Sequence, residues 1–435
     1  MKKVHVAGGG LAGCEASWQI AERGVPVVLH EMRPLVETEA HKTPYLAELV
    51  CSNSFKSQDP ITGAGLLKRE LKELGSLLIR IAESVSVPAG TALCVNREEF
   101  SNEVERVLSS HPLIEVRREE VCELPEPPAI VATGPLTSRR MADAIAKLAG
   151  RESLFFFDAI SPIVDGESID LSKAFVQSRY DKGKGGYLNL PLSREEFRKF
   201  SRALLDAEVT PLRDFERQYF FEGCLPIEEM ARRGPETLAF GPMKPVGLVD
   251  PKTGTRPYAA VQLRPENRER TMYSLVGFQT KLKQAEQRRV LRMIPGLENA
   301  TFLRYGSVHR NTYLSSPGFI GVNLECLKER GLFFAGQIIG CEGYSEAIAS
   351  GLYAGINVVR AVEGRPPVIL PRQTALGSLM IFLTTPVPHR FQPTNFNFGL
   401  LPPLAKRKRP AKEKRELLSR RAEESMRPFV GEALR

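Results

Sequence analysis

The chain has 435 residues, enough for two or three domains, and 42% hydrophobic with 26% charged residues is a globular composition without an apolar run long enough to span a bilayer. Its seven cysteines are scattered with no CxxC pair, and the six histidines form no ligand-spaced cluster with them, which argues against a metal site and a disulfide framework and for a reducing cytoplasm. The net charge is +9, and residues 405–435, with eleven Lys and Arg against five Glu, carry most of the excess.

The chain is expected to open directly on a core strand, not on a signal peptide: Val4-His5-Val6-Ala7 runs into Gly8-Gly9-Gly10-Leu11-Ala12-Gly13. The glycines at 8, 10 and 13 have the dinucleotide spacing. The first allows a tight turn, the second admits a pyrophosphate, and the third lets the following helix pack on the strand. A helix from Ala12 to Ala21, Gly24 and a strand Pro26 to Leu29 follow. Glu31 then stands where a ribose-binding acid is expected, roughly 20 residues on.

Further on, Tyr45 to Val50 leads into Cys51-Ser52-Asn53-Ser54-Phe55-Lys56, read as a loop off the sheet edge. Ala64 to Arg80 has helical periodicity, and Val85 to Val95 reads as extended. Asn96 to Glu99 caps a helix to about Ser109. Strands follow at Ile114 to Val121 and at Ala129 to Ala132. The second closes in Ala132-Thr133-Gly134, a further mark of flavoprotein dinucleotide folds, where glycine lets the chain pass close to a cofactor.

The texture changes near Phe155. Lys182 to Tyr187 is a basic glycine loop, Ser193 to Glu196 a capping box, and Cys224 lies between Gly223 and Leu225-Pro226. Thr280 to Met293 reads as a charged helix. Residues 156–299 are expected to form an inserted domain, with 1–155 and 300–404 as one discontinuous domain. In the latter, Gly331 to Gln337 is a strand ending in Gly336. It leads through Gly343-Tyr344 into a helix from about Ser345 to Glu363. Gly351 and Gly355 on one face permit close helix packing. The remainder, 405–435, is a basic tail suited to a phosphate backbone.

These motifs resemble those of the bacterial folate- and FAD-dependent tRNA (uracil-5-)-methyltransferases. The resemblance covers nearly the whole chain. It rests on the amino-terminal fingerprint, Glu48 to Phe55, Phe221 to Glu228, Gly336 to Tyr344, and Thr394-Asn395-Phe396-Asn397-Phe398-Gly399. It implies an α/β fold: a Rossmann-like, glutathione-reductase-like FAD-binding domain with an inserted α+β domain. Gly8, Gly9, Gly10, Leu11, Ala12, Gly13, Glu31, Ala132, Thr133, Gly134, Gly336, Gln337 and Gly343 would bind the cofactor.

It also implies a reaction, formation of 5-methyluridine at position 54 of the tRNA T-loop. Methylenetetrahydrofolate gives the one-carbon unit, and reduced FAD, restored by NAD(P)H, gives the reducing equivalents. A thiolate added at uracil C6 makes C5 nucleophilic, and a base removes the C5 proton. Cys224 is assigned as nucleophile and Cys51 as base, with the reverse order left open. Tyr344 and His309 are candidates for a folate-stacking slot. Lys406 and Arg407 in the tail, with Lys182, Lys184, Arg232, Arg233, Lys281 and Lys283, are candidate RNA contacts. The competing readings are a small-molecule FAD oxidoreductase, a wobble-uridine-modifying flavoprotein, and a non-catalytic flavin-bound RNA-binding protein.

Overall fold

Short, mostly apolar strands such as Val4–Ala7, with His5 its one polar residue, and the wholly apolar Ala129–Val131 and Leu332–Phe334 suit a parallel sheet covered on both faces. They form one in the computed structural model, which describes residues 2–38, 40–150, 154–159, 161–179, 186–210, 225–267, 269–386, 391–404 and 410–433. The five strands stand in the order Leu332–Phe334, Ala129–Val131, Val4–Ala7, Val27–Glu31, Ile114–Arg118. Every neighbouring pair is parallel. From Val4–Ala7 the chain first builds outward through Val27–Glu31 and Ile114–Arg118. It then returns to the other side with Ala129–Val131. The order reverses between Val4–Ala7 and Ala129–Val131, and a crevice opens at the carboxyl ends of strands at such a point.

The helix Leu11–Ala21 is almost wholly buried because it lies between this sheet and the helix Tyr344–Val362. Small residues make the approach possible. A Cβ on Gly351 would stand 2.2 Å from the Ala12 carbonyl oxygen, and one on Gly355 2.9 Å from that of Ala16. The expected stripe at 351 and 355 is thus the contact surface of two helices that close on backbone.

A second unit has its own core. Six antiparallel strands stand in the order Phe175–Gln177, Tyr187–Leu192, Ala259–Pro265, Met272–Leu275, Ile163–Asp165, Phe302–Arg304. Val164, Leu190, Phe197, Phe200, Val261 and Phe278 pack there apart from the first core. The strands Leu154–Ala159 and Val308–Tyr313 pair as the ribbon at its two chain crossings. A third, small sheet pairs Ser54–Ser57, Ala92–Val95 and Ser86–Val87, and its first strand directly follows Cys51.

Two helical expectations change in extent. The periodic stretch from Ala64 to Arg80 is two helices, Gly63–Glu73 and Leu77–Ser84. Gly75 has φ +78°, and Ser76 caps the second helix by accepting from the Ile79 N–H. Buried Glu15 adds to that cap by accepting from Leu77 N and Leu78 N. The charged helix is Gln284–Leu291 only. Thr280 and Lys281 before it bind the buried carboxylate of Glu228 instead of continuing the spiral. The Asn96 and Ser193 caps start the helices Arg97–Ser109 and Arg194–Leu205 as expected.

The carboxyl-terminal residues Ala411–Ala433 form a helix that docks on Gly63–Glu73. Leu418, Ala422 and Met426 enter the main core, and Arg69 pairs with Glu423. Among the described residues no helix is long and apolar enough to cross a membrane, and no cluster of three potential metal ligands occurs.

Candidate active site

A cleft of about 1000 Å³ lies over the point where the strand order reverses. Of the predicted cofactor residues, Gly8, Gly9, Gly10, Leu11, Ala12, Glu31, Ala132, Thr133, Gly134, Gly336 and Gln337 line it, as does Tyr344. Gly13 and Gly343 do not. Gly13 lies beneath, where a Cβ would stand 1.8 Å from the Gly8 carbonyl oxygen, and Gly343 precedes the helix Tyr344–Val362 with φ +114°.

The floor fits a pyrophosphate. The helix Leu11–Ala21 begins at Gly10 with no side-chain cap and no acid in its first turn. Its first N–H groups therefore remain available to an anion, aided by the helix dipole. A Cβ on Gly10 would meet nothing within 4 Å, so the space above this glycine is the cleft itself.

Glu31 closes one end. Its carboxylate accepts from Gly9 N at 3.1 Å and from three nitrogens of Arg33: the backbone N at 2.9 Å, Nε at 2.9 Å and Nη2 at 3.1 Å. Arg33 also donates to Glu48 and to the Thr43 carbonyl. Burial would raise the Glu31 pKa, but the Arg33 hydrogen bonds and charge outweigh it and hold the carboxyl below its ordinary range. The acid thus fixes the glycine loop as well as standing at the expected position.

The loop of Cys51 lies beside the cleft: Val50 lines it, and Cys51 itself does not. Tyr344, the first residue of its helix, lines the cleft and accepts at its Oη from Cys51 N and Ser52 N, both at 3.0 Å. Burial and then the nearby Cys51 push the Tyr344 phenol well above its usual range, so it keeps its proton at neutral pH. Two arginines hold the same loop by its carbonyls. Arg97 Nη1 donates to the Leu49 oxygen at 2.9 Å, and Arg304 Nη2 donates to the Val50 oxygen at 2.6 Å. Arg97 is anchored through Nε to Glu266 at 2.7 Å, and Asn53 reaches the Pro265 carbonyl at 3.1 Å. The Cys51 loop is therefore gripped from both units of the fold. No local pattern announces Arg97 or Arg304, because their partners are remote in sequence.

The other cysteines divide clearly. Cys14, Cys94 and Cys341 are 0% exposed, and burial raises each thiol pKa, which suits packing and not nucleophilic work. Cys51 is half-buried. Cys224 lies outside the described residues, as do Lys182, Lys184, Lys406 and Arg407. His309 falls on the strand Val308–Tyr313, and its side chain is likewise outside what is described. Of the other RNA-contact candidates, Arg232 and Lys281 pair with Glu229, and Lys283 pairs with Glu208. Thr137, Ser138 and Met141 complete the cleft wall and carry no sequence mark.

A cleft at this point of a parallel sheet, lined by two glycine-bearing strand–loop–helix segments, defines a flavoprotein of the dinucleotide-binding class. The family model for glucose inhibited division protein A matches residues 3–366. The methylenetetrahydrofolate–tRNA-(uracil-5-)-methyltransferase TrmFO of Dictyoglomus thermophilum is 54% identical over 427 residues, 97% of either chain. That of Enterococcus faecalis is 51% identical over 97% of either chain. The chain belongs to this methyltransferase family, within the wider glucose-inhibited division protein A group. The fold also matches the crystal structure of Aquifex aeolicus GidA, with TM-score 0.72, 18% identity, and coverage of 98% of this chain and 73% of that one.

Proposed function

We propose that this protein methylates C5 of a uridine in tRNA, at position 54 of the T-loop, with methylenetetrahydrofolate as one-carbon donor. The observation that carries the reading is the Tyr344 contact, which sets the Cys51 loop against the wall of the cofactor cleft. The family relation supports the same reaction. FAD is the cofactor that the cleft fits, and when bound and reduced it supplies the hydride that converts an exocyclic methylene to a methyl, with NAD(P)H restoring it.

The protein's own groups do the rest. The open amides of Leu11 and Ala12 would hold the pyrophosphate, Glu31 and Arg33 would close the ribose end, and Ala132 to Gly134 and Gly336-Gln337 form the walls. One thiol of the pair Cys51 and Cys224 adds to uracil C6, which places electron density on C5 for attack on the folate methylene. The other, as its thiolate, takes the proton from C5 as the bond between the methylene carbon and the folate nitrogen breaks and tetrahydrofolate departs, and the first thiolate leaves C6 once the methylene has become a methyl. Tyr344 keeps its proton and holds the Cys51 and Ser52 amides in line. The tRNA must extrude its base to reach such a site, at a cost of a few kcal/mol that contacts to phosphate offset. The division into 1–155 with 300–404, 156–299 and 405–435 then separates a cofactor domain, a substrate-side domain and a basic element. A cytoplasmic setting accords with free thiols.

The test is reconstitution of the FAD-loaded protein with NADH or NADPH, methylenetetrahydrofolate and a tRNA transcript. A product with 5-methyluridine that requires folate supports the reading. Methylation that runs on S-adenosylmethionine instead overturns it. Cys51→Ala and Cys224→Ala each abolish turnover while FAD is retained.

A further inference from the structure

The grouping Thr394 to Gly399 takes no part in the cofactor cleft, yet it builds a second opening. A groove of about 880 Å³ is lined by Asn395, Asn397 and Phe398, by Thr62 at the start of the helix Gly63–Glu73, and by Lys56 and Arg415. We propose that this groove is a docking track for a strand of the RNA substrate beside the active site, an inference that rests on the tRNA reading above.

Four observations support it. First, its two cations are exposed, and neither side chain has an ion-pair or hydrogen-bond partner among the described residues. That contrasts with Arg232, Lys281 and Lys283, which are neutralised within the fold. Second, Lys56 has φ +63°, a left-handed backbone that an L residue with a long side chain rarely adopts, and this holds a charged side chain at the groove at a conformational cost. Third, the remaining lining is that of an RNA reader. The Asn395 amide has no side-chain hydrogen bond among the described residues and can meet a base edge or a 2′-hydroxyl, and half-buried Phe398, T-shaped to Phe396, brings an aromatic ring to the opening. The carboxylate on the wall, Glu346, is 1% exposed and accepts from Phe396 N, and its Oε2 and Lys56 Nζ both lie near the position of a Gly343 Cβ, so it offsets part of the Lys56 charge.

Fourth, the groove and the thiol share a wall. Lys56 Nζ lies 3.3 Å from where a Cβ on Gly343 would stand, and the next residue is Tyr344, which holds Cys51. Arg415 comes from the carboxyl-terminal helix docked on the main core. A strand leaving the site over the amino end of the helix Tyr344–Val362 therefore meets Lys56 and then Arg415. This names what the basic segment contributes: one helix-borne cation placed by packing, opposite a cation from the strand that follows the thiol.

The experiment uses the full-length FAD-loaded protein and a tRNA transcript, with the double variant Lys56→Glu/Arg415→Glu and the milder Lys56→Gln/Arg415→Gln. Binding is measured across a salt series. The expected result is a Kd for tRNA about tenfold weaker in the charge-reversed protein and a log–log salt slope reduced by about 2, with a smaller effect of the same sign in the glutamine pair. Phe398→Ala weakens binding with the slope unchanged. The FAD absorption spectrum reports that each variant is folded. An unchanged Kd and slope in both double variants overturns the proposal, as does loss of binding to an acidic peptide with tRNA affinity intact. A wild-type protein that methylates the transcript while the double variants bind it normally leaves the reaction standing and removes only the groove. A wild-type protein that neither binds nor methylates tRNA removes both.

Discussion

Tyr344 Oη stands 3.0 Å from the backbone nitrogens of both Cys51 and Ser52, across a sequence separation of 293 and 292 residues. One phenol thus ties the amino end of the helix that walls the cofactor cleft to the loop that carries the thiol. Tyr344→Phe keeps the ring against Phe55 but removes the acceptor from two amides. An unpaired donor costs about 1–3 kcal/mol when buried, and less for these two half-buried amides. The loop is then free to move the thiol, and turnover falls by about tenfold or more at unchanged FAD content. Single-turnover methylation beside the flavin spectrum measures it, and a Phe variant with wild-type rate would show that the contact does not position Cys51.

The carbonyl side of the same loop distinguishes two arginines. Arg304→Met removes the hydrogen bond to the Val50 oxygen, and the expected outcome is slower turnover with a modest change in Tm. Arg97→Met removes the bond to the Leu49 oxygen and also takes from Glu266, which is 3% exposed, its 2.7 Å partner, leaving it only Arg264 at 4.0 Å. Breaking a buried ion pair from one side costs about 3 kcal/mol where no other cation remains, and less where Arg264 stays. Arg97→Met is therefore expected to lower Tm more than Arg304→Met, and Arg97→Lys to recover part of it. Thermal melts of the three variants check the order.

How much of this was legible in the chain depends on the range of the interaction. Gly8, Gly10 and Gly13 mark the cofactor loop because turn, phosphate and helix packing are all set within six residues. Gly351 and Gly355 mark the helix contact because a helix repeats its face every three or four positions. Gly75-Ser76 was a legible break within a periodic stretch, but periodicity across it concealed two helices. Nothing near Arg97 or Arg304 signals a role, since their partners are carbonyls supplied by a distant loop. The basic carboxyl-terminal segment read as an arm from its charge, whereas Leu418, Ala422 and Met426, at i, i+4, i+8, dock it as a helix. The engagement of Glu31 by Arg33 was likewise invisible, because spacing gives a residue's place and not its hydrogen bonds.

Two glycines with different surroundings give opposite expectations. At Gly10 an added Cβ meets nothing within 4 Å and φ is −78°, so Gly10→Ala leaves the apoprotein's Tm unchanged but fills the space above the pyrophosphate floor, and FAD retention falls. At Gly351 the same methyl would stand 2.2 Å from a backbone oxygen of the facing helix. The gain of about 1 kcal/mol in helix propensity is outweighed by overpacking that backbone atoms cannot relieve. Gly351→Ala therefore lowers Tm with or without FAD. Melts of both variants with and without cofactor separate the two effects, and a Gly10→Ala protein that keeps FAD at wild-type occupancy would contradict the assigned floor.

Glu70 makes stability depend on pH. Its buried carboxyl accepts from Ala375 N at 2.7 Å and Leu376 N at 2.8 Å, capping the helix Ala375–Thr384. Burial outweighs those two hydrogen bonds and raises its pKa from 4.5 to about 8. Between these values the folded protein binds this proton more tightly than the unfolded chain does. Stability from this group is therefore fully present below 4.5 and is lost as pH rises toward 8, with no further change above. Glu70→Gln keeps a carbonyl acceptor for the helix and cannot ionise. The Tm of the wild type minus that of Glu70→Gln is expected to fall steadily from pH 5 to pH 8 and then level. A difference that stays flat across that range, or that rises with pH, would show that the helix amides keep Glu70 ionised in the folded protein.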